Sequence, residues 1–231
     1  MIARWLVWLA PLLTCCSRGG LPDYAAPKGA VVDATALDSS DVIGYRQLTR
    51  ADFRGQKVPP EFAAVADRVG AATCGQVRTT PDTAFFVSSR TESPSSKEHH
   101  WIEIKKLAFI ALMDRRCSWW NDKVAAKMPA YVLEHEQIHF ALYELGARQL
   151  NASADSLRRS MMNQGSSQRA VETRAREALN VALTKATERL IERNRDFDQD
   201  TSLGYRPERQ RQWLKQVTSE LRDTQRFAGR P

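Results

Sequence analysis

The sequence predicts an α+β fold in which a small, mostly antiparallel sheet packs on one long helix and a C-terminal helical hairpin. Three observations lead there. Residues 129–150 carry apolar side chains at helical spacing behind a proline. Residues 71–113 hold short β-branched and aromatic runs separated by turn signals. Residues 168–195 are rich in Ala, Glu, Arg and Leu, the residues that favour helix.

The chain opens with a basic n-region, Met1-Ile-Ala-Arg4, and an uncharged apolar run from Trp5 to Leu13. A bilayer-spanning helix needs roughly 20 residues, so this run reads as a secretory signal peptide instead. Leu12-Leu-Thr-Cys-Cys16 follows it and resembles the lipobox of bacterial lipoproteins, with Thr14 or Cys15 standing where a small residue is usual. Cys16 (or Cys15) is then the lipidated first residue of the mature chain. Residues 1–16 form the leader and 17–40, with Pro22, Pro27 and Gly29, a flexible tether. The expected location is the bacterial periplasm, either soluble or held at the membrane through that lipid anchor.

Two cysteines remain, Cys74 and Cys117, and in an oxidising compartment a lone pair reads as a disulfide. With no C-x-x-C in the chain, a cysteine-based zinc site is not expected. The net charge of +7 is dispersed among alternating acids and bases, which argues against nucleic-acid binding.

In the β-rich part, Tyr45 to Gly55 reads as a short strand followed by a turn at Asp52–Gly55. Ala71–Thr80 and Thr83–Ser89 flank the turn signal Pro81-Asp82. Trp101 to Met113 is the strongest strand candidate, although a helix over Lys105–Met113 fits the same apolar run. Ser88–Lys97 is a serine-rich loop. His99 and His100 beyond it read as exposed residues at a strand start.

The helix over 129–150 contains His135-Glu136-Gln137-Ile138-His139. Residues four apart stack on one helical face, so both imidazoles project side by side, as two ligands of one tetrahedral Zn²⁺ must. Glu136 sits about 100° round the helix and flanks the pair, placed to act as general base toward an attacking water. This is the H-E-x-x-H arrangement of zinc peptidases. Glu144 lies about 180° round from His135, away from both imidazoles, and pairs better with Arg148 at i+4. Tyr143 follows His139 by one turn on the side of Glu136.

Asn163-Gln-Gly-Ser-Ser167 is the turn before the next helix, Asp196 to Gly204 ends that helix, and Pro207–Phe227 forms a last polar one. An antiparallel hairpin about residues 164–165 sets His135 and His139 opposite roughly 194 and 190. Glu188, Glu192, Asp198 and Asp200 are the carboxylates brought near. Glu172 lies about 27 Å too far along the axis, unless the helix breaks near Asn151.

The order of segments resembles a bacterial family of secreted zinc-dependent proteases still filed as a domain of unknown function. Leu48-Thr-Arg-Ala-Asp-Phe-Arg-Gly55 resembles its opening signature. His135 to Phe140 with Glu144 and Ala147-Arg148 resembles its helix, and Phe197-Asp-Gln-Asp-Thr-Ser-Leu-Gly204 its closing block. The similarity spans about residues 41–222, which makes that stretch the domain and leaves 223–231 as a tail. The resemblance implies a zincin-like metallopeptidase acting on a peptide or protein, with Asp198, which matches the family's aspartate, as the third ligand. Leu203 stands where the family has histidine. A non-catalytic envelope module and a peptidase of peptidoglycan crosslinks are the two rival expectations. An exposed edge strand over Trp101–Lys106 is the expected place for an extended substrate to pair.

Overall fold

The computed structural model describes residues 40–90 and 99–229. The expected leader, the Cys15–Cys16 lipidation site, the tether up to residue 39 and most of the serine-rich loop lie outside the described residues.

Short strands form two antiparallel three-stranded sheets and a two-stranded ladder. Strand β1 (Val42–Gly44) and strand β3 (Gly75–Thr79) flank β6 (Phe109–Asp114), while β4 (Ala84–Arg90) and β8 (Gln164–Gly165) flank β5 (His99–Lys106). The ladder joins β2 (Ala71–Ala72) to β7 (Trp119–Trp120). The α+β class is therefore as expected, with β-content split among small sheets.

Several local expectations need correction. The first strand is Val42–Gly44, and the Tyr45–Gly55 stretch instead runs through a 3-10 turn at Arg50–Asp52. Its residues are held by side chains. Asp52, fully buried, accepts hydrogen bonds from Arg46 at 2.6 and 3.0 Å and faces the buried Arg115 at 3.2 Å. A buried carboxylate with such partners competes well against any ladder. Trp101–Met113 is two strands, β5 and β6, separated at Leu107–Ala108, so no helix forms there.

A short helix, α1 (Asp122–Ala125), capped by the Asn121 side chain, leads into α2 (Pro129–Met161). Helix α2 runs through Asn151 without the break that Glu172 would have needed, and Glu172 pairs with Arg176 on the surface. Between His135 and Arg148 every side chain but His139 and Tyr143 is buried. Such a helix must be covered all round, and β3, β6 and the two helices that follow cover it. Gln137 ties it to the N-terminal segment: its Oε1 accepts the Leu48 amide at 2.6 Å and its Nε2 donates to Arg46 O at 3.1 Å.

Helix α3 (Gln168–Thr201) starts at the Ser167 cap and returns antiparallel to α2. Gly146 lets it come close, since a Cβ there would sit 2.7 Å from the Leu190 methyls. Residues 196–201 belong to α3, whereas a helix end was expected there. Phe197 is wholly buried, and this apolar anchor carries the helix six residues further than its polar neighbours suggest. Ser202, Leu203 and Gly204 then take positive φ values of 50°, 57° and 86°, turning the chain into α4 (Pro207–Asp223). A glycine accommodates such a backbone readily, a leucine at some strain. The expected tail from 223 is docked in part: Asn151 donates to Phe227 O at 3.1 Å and Ala228 is buried. Among the described residues no helix is long and apolar enough to cross a membrane.

Candidate metal centre

The α2–α3 hairpin brings the sequence-predicted ligands together. Asp198 Oδ1 lies 3.2 Å from His135 Nε2 and 3.1 Å from His139 Nε2, and the two nitrogens are 3.2 Å apart. Three vertices of a tetrahedron with metal–ligand distances of about 2.0–2.1 Å are separated by about 3.3–3.4 Å. The triangle therefore fits one small cation with an open fourth position. Among the described residues this is the one His/Cys/Asp/Glu group so placed.

The register differs by one turn from the simple hairpin estimate. His139 faces Asn194, and His135 faces Asp198. Side chains on a helix lean toward its N-terminus. On antiparallel helices these leanings are opposed, so the partner of each α2 histidine lies about one turn farther from the connecting loop.

The tautomers follow from the hydrogen bonds. Asn194 donates its amide to Leu190 O at 2.7 Å, leaving Oδ1 to accept from His139 Nδ1 at 2.7 Å. Gln210, on α4 and fully buried, donates to Tyr131 O at 3.2 Å and to Glu134 at 3.0 Å. Its Oε1 then accepts from His135 Nδ1 at 3.0 Å. Both Nδ1 atoms carry protons, so in the neutral rings both Nε2 lone pairs point at the Asp198 carboxylate. Three acceptors converging on one point require a cation, either a proton or a metal ion. Phe197 stacks on His135 with ring centres 4.4 Å apart and meets His139 edge-on at 4.8 Å.

The electrostatics of these side chains agree. Burial alone pushes the His139 imidazole down, but the charge and hydrogen bond of Asp198 outweigh it and hold the pKa at about 9. Burial raises the Asp198 carboxyl, yet His139 and His135 hold it well below the usual carboxylate range. Glu136 is buried, which pushes its carboxyl up, opposed by the two histidines and by Thr73. Thr73 Oγ1 donates to Glu136 Oε2 at 2.8 Å.

Thr73 adjoins Cys74, and the expected disulfide to Cys117 is formed, with Cα atoms 5.9 Å apart. The link between β2 and β3 that steadies Glu136 is thus fastened covalently. Glu144 is turned away from the histidines and pairs with Arg148 at 2.7 Å, as expected. His99 and His100 start β5 and take no part in the centre.

The centre opens into a cleft of about 760 Å³ between the hairpin, the Gly70–Thr73 segment and the Leu203–Pro207 turn. The expected substrate edge, Trp101–Lys106, is not there. It pairs with β4 along its length and with β8 at Trp101, and none of it lines the cleft, which the Gly70–Thr73 segment borders instead. Asn194 and Gln210 were not anticipated. Asn194 precedes Asp198 by one turn and so shares its face, a readable signal; Gln210 carries none. No family model, no curated protein and no solved structure matches the chain.

Proposed function

We propose that the protein is a zinc-dependent metallopeptidase of the bacterial cell envelope, zincin-like in fold. The convergence of His135 Nε2, His139 Nε2 and Asp198 Oδ1 beside the buried Glu136 carries this reading. Two imidazoles and a carboxylate with an open position suit Zn²⁺. The ion would supply Lewis acidity, polarising a scissile carbonyl and bringing the pKa of water toward about 7.

The protein's own groups supply the rest. Glu136 holds Thr73 with one carboxylate oxygen and keeps the other for the proton of the attacking water. Burial raises its basicity, which suits a base working near neutral pH. The same carboxyl then returns the proton to the leaving amine. Tyr143 lines the cleft one turn beyond His139, and burial pushes its phenol up, keeping it a hydrogen-bond donor for substrate.

Leu203 was the feature that favoured a degenerate, non-catalytic module. Asp198 as third ligand supports the catalytic reading instead. Export as a lipoprotein through Cys16 or Cys15 is supported by the leader's composition and agrees with a disulfide in the domain.

Metal analysis of the purified protein tests the proposal. Near-stoichiometric zinc is expected in wild type and Glu136→Gln, with loss in His135→Ala. Peptide hydrolysis is expected in wild type alone. Wild type that stays zinc-free after supplementation overturns the reading.

A further inference from the structure

Resting on the peptidase reading, we propose that the cleft takes extended polypeptide with a bulky apolar side chain beside the cleaved bond, and not the small, acid-rich peptides of a cell wall. The subsite lies at the His135 end. The Asn121 side chain donates to Ala66 O at 2.9 Å and Val69 O at 3.2 Å, and its backbone amide donates to Gly70 O at 2.8 Å. These bonds fasten the start of α1 to residues 66–70. Gly70 in turn lies against Val132 of α2, whose methyls would be 3.0 Å from an added Cβ.

Two tyrosines bring the α3–α4 turn to the same place. Tyr131 donates to Gly204 O at 2.7 Å, and Tyr205 donates across to Arg68 O at 2.8 Å. Leu203 is held there with φ of 57° and lines the cleft. Such a backbone is uncommon for leucine and concentrates at ligand-contacting positions. Val132 stands three residues before His135 on the stripe of α2 that carries the candidate metal ligands, and Met128 is the residue from which that helix starts.

Apolar exposure is concentrated around this cleft. Among the described residues six large apolar side chains are exposed, and three of them, Met128, Ile191 and Tyr205, line it at 57–58 % exposure. Clustered rather than scattered exposure marks a surface that a ligand covers.

The test uses the zinc-loaded Glu136→Gln protein and fluorescein-labelled peptides with Leu, Phe, Ala or Glu at one variable position, beside a labelled wall peptide. Binding is read by fluorescence anisotropy. The Leu and Phe peptides are expected to bind roughly tenfold or more tightly than the Ala and Glu peptides. Leu203→Asn, which suits the positive φ, and Met128→Gln are expected to remove that preference while zinc content and melting midpoint persist. Equal binding of all peptides, tighter binding of the wall peptide, or no binding overturns the inference. Zinc content and wild-type hydrolysis, measured in parallel, report separately on the peptidase reading.

Discussion

Asn194 accepts the Nδ1 proton of His139 at 2.7 Å, and Gln210 does the same for His135 from a different helix. Each amide leaves its imidazole with a lone pair aimed at the centre. Replacing either by leucine is expected to weaken zinc binding about 10–100-fold, measured by competition with a chromophoric chelator. Asn194→Asp keeps the acceptor and is expected to retain the affinity, a rescue that a purely structural role would not give. Unchanged affinity in Asn194→Leu would count against this.

Zinc binding should also strengthen with pH. The metal-free His139 has a pKa raised from 6.5 to about 9, so a metal ion entering at pH 7 must displace a proton. Calorimetry in buffers of different ionisation enthalpy is expected to show that release. The stability of the metal-free fold runs the opposite way. His139 has a higher pKa folded than unfolded, so its pairing with Asp198 stabilises fully below about 6.5 and is lost as pH rises through about 9. The melting midpoint of metal-free protein should fall over that interval, and a midpoint that rises instead would contradict the pairing.

Asp52 anchors the segment before the sheets through Arg46 and the buried Arg115. Asp52→Ala removes the buried carboxylate that faces the Arg115 guanidinium and is expected to cost about 3–5 kcal/mol in urea denaturation. A loss under about 1 kcal/mol would show the ion pair to be dispensable.

In the oxidised native protein Cys74 and Cys117 should resist a thiol reagent even under denaturing conditions until reduced. The double serine variant is expected to lose about 2–4 kcal/mol of stability. It should also loosen Thr73, which hydrogen exchange at that amide would register as faster exchange.

Much of the centre was legible because helical geometry is rigid. The spacing of His135 and His139 fixed a shared face, the wheel angle removed Glu144, and hairpin arithmetic brought Asp198 near together with Glu188, Glu192 and Asp200, among which the family resemblance singled it out. What escaped depends on longer-range packing. The extension of α3 to Thr201 rests on Phe197 finding a buried place against the histidines, which the polar residues around it conceal. Gln210 reaches the centre only because the turn at 202–204 redirects the chain, and a lone glutamine has no pattern. The strands near residue 45 were misjudged because Asp52 and Gln137 supply the hydrogen bonds that a ladder would otherwise have given. The expected substrate edge, Trp101–Lys106, does not line the cleft because β5 belongs to a separate sheet with β4 and β8, a matter of topology that alternation along a strand does not encode.

The distance along the chain between the ligands also sets a clock. His135 and Asp198 are 63 residues apart, and the tautomer of His135 depends on Gln210, 75 residues downstream. A chain emerging from its N-terminus shows the two histidines early, but as an open pair with weak hold on a metal. Only when the second arm of the hairpin and the start of the last helix have emerged does the coordination sphere close. Closure of the three-ligand group is thereby deferred until Gln210 has emerged, and a shorter chain carries an incomplete centre.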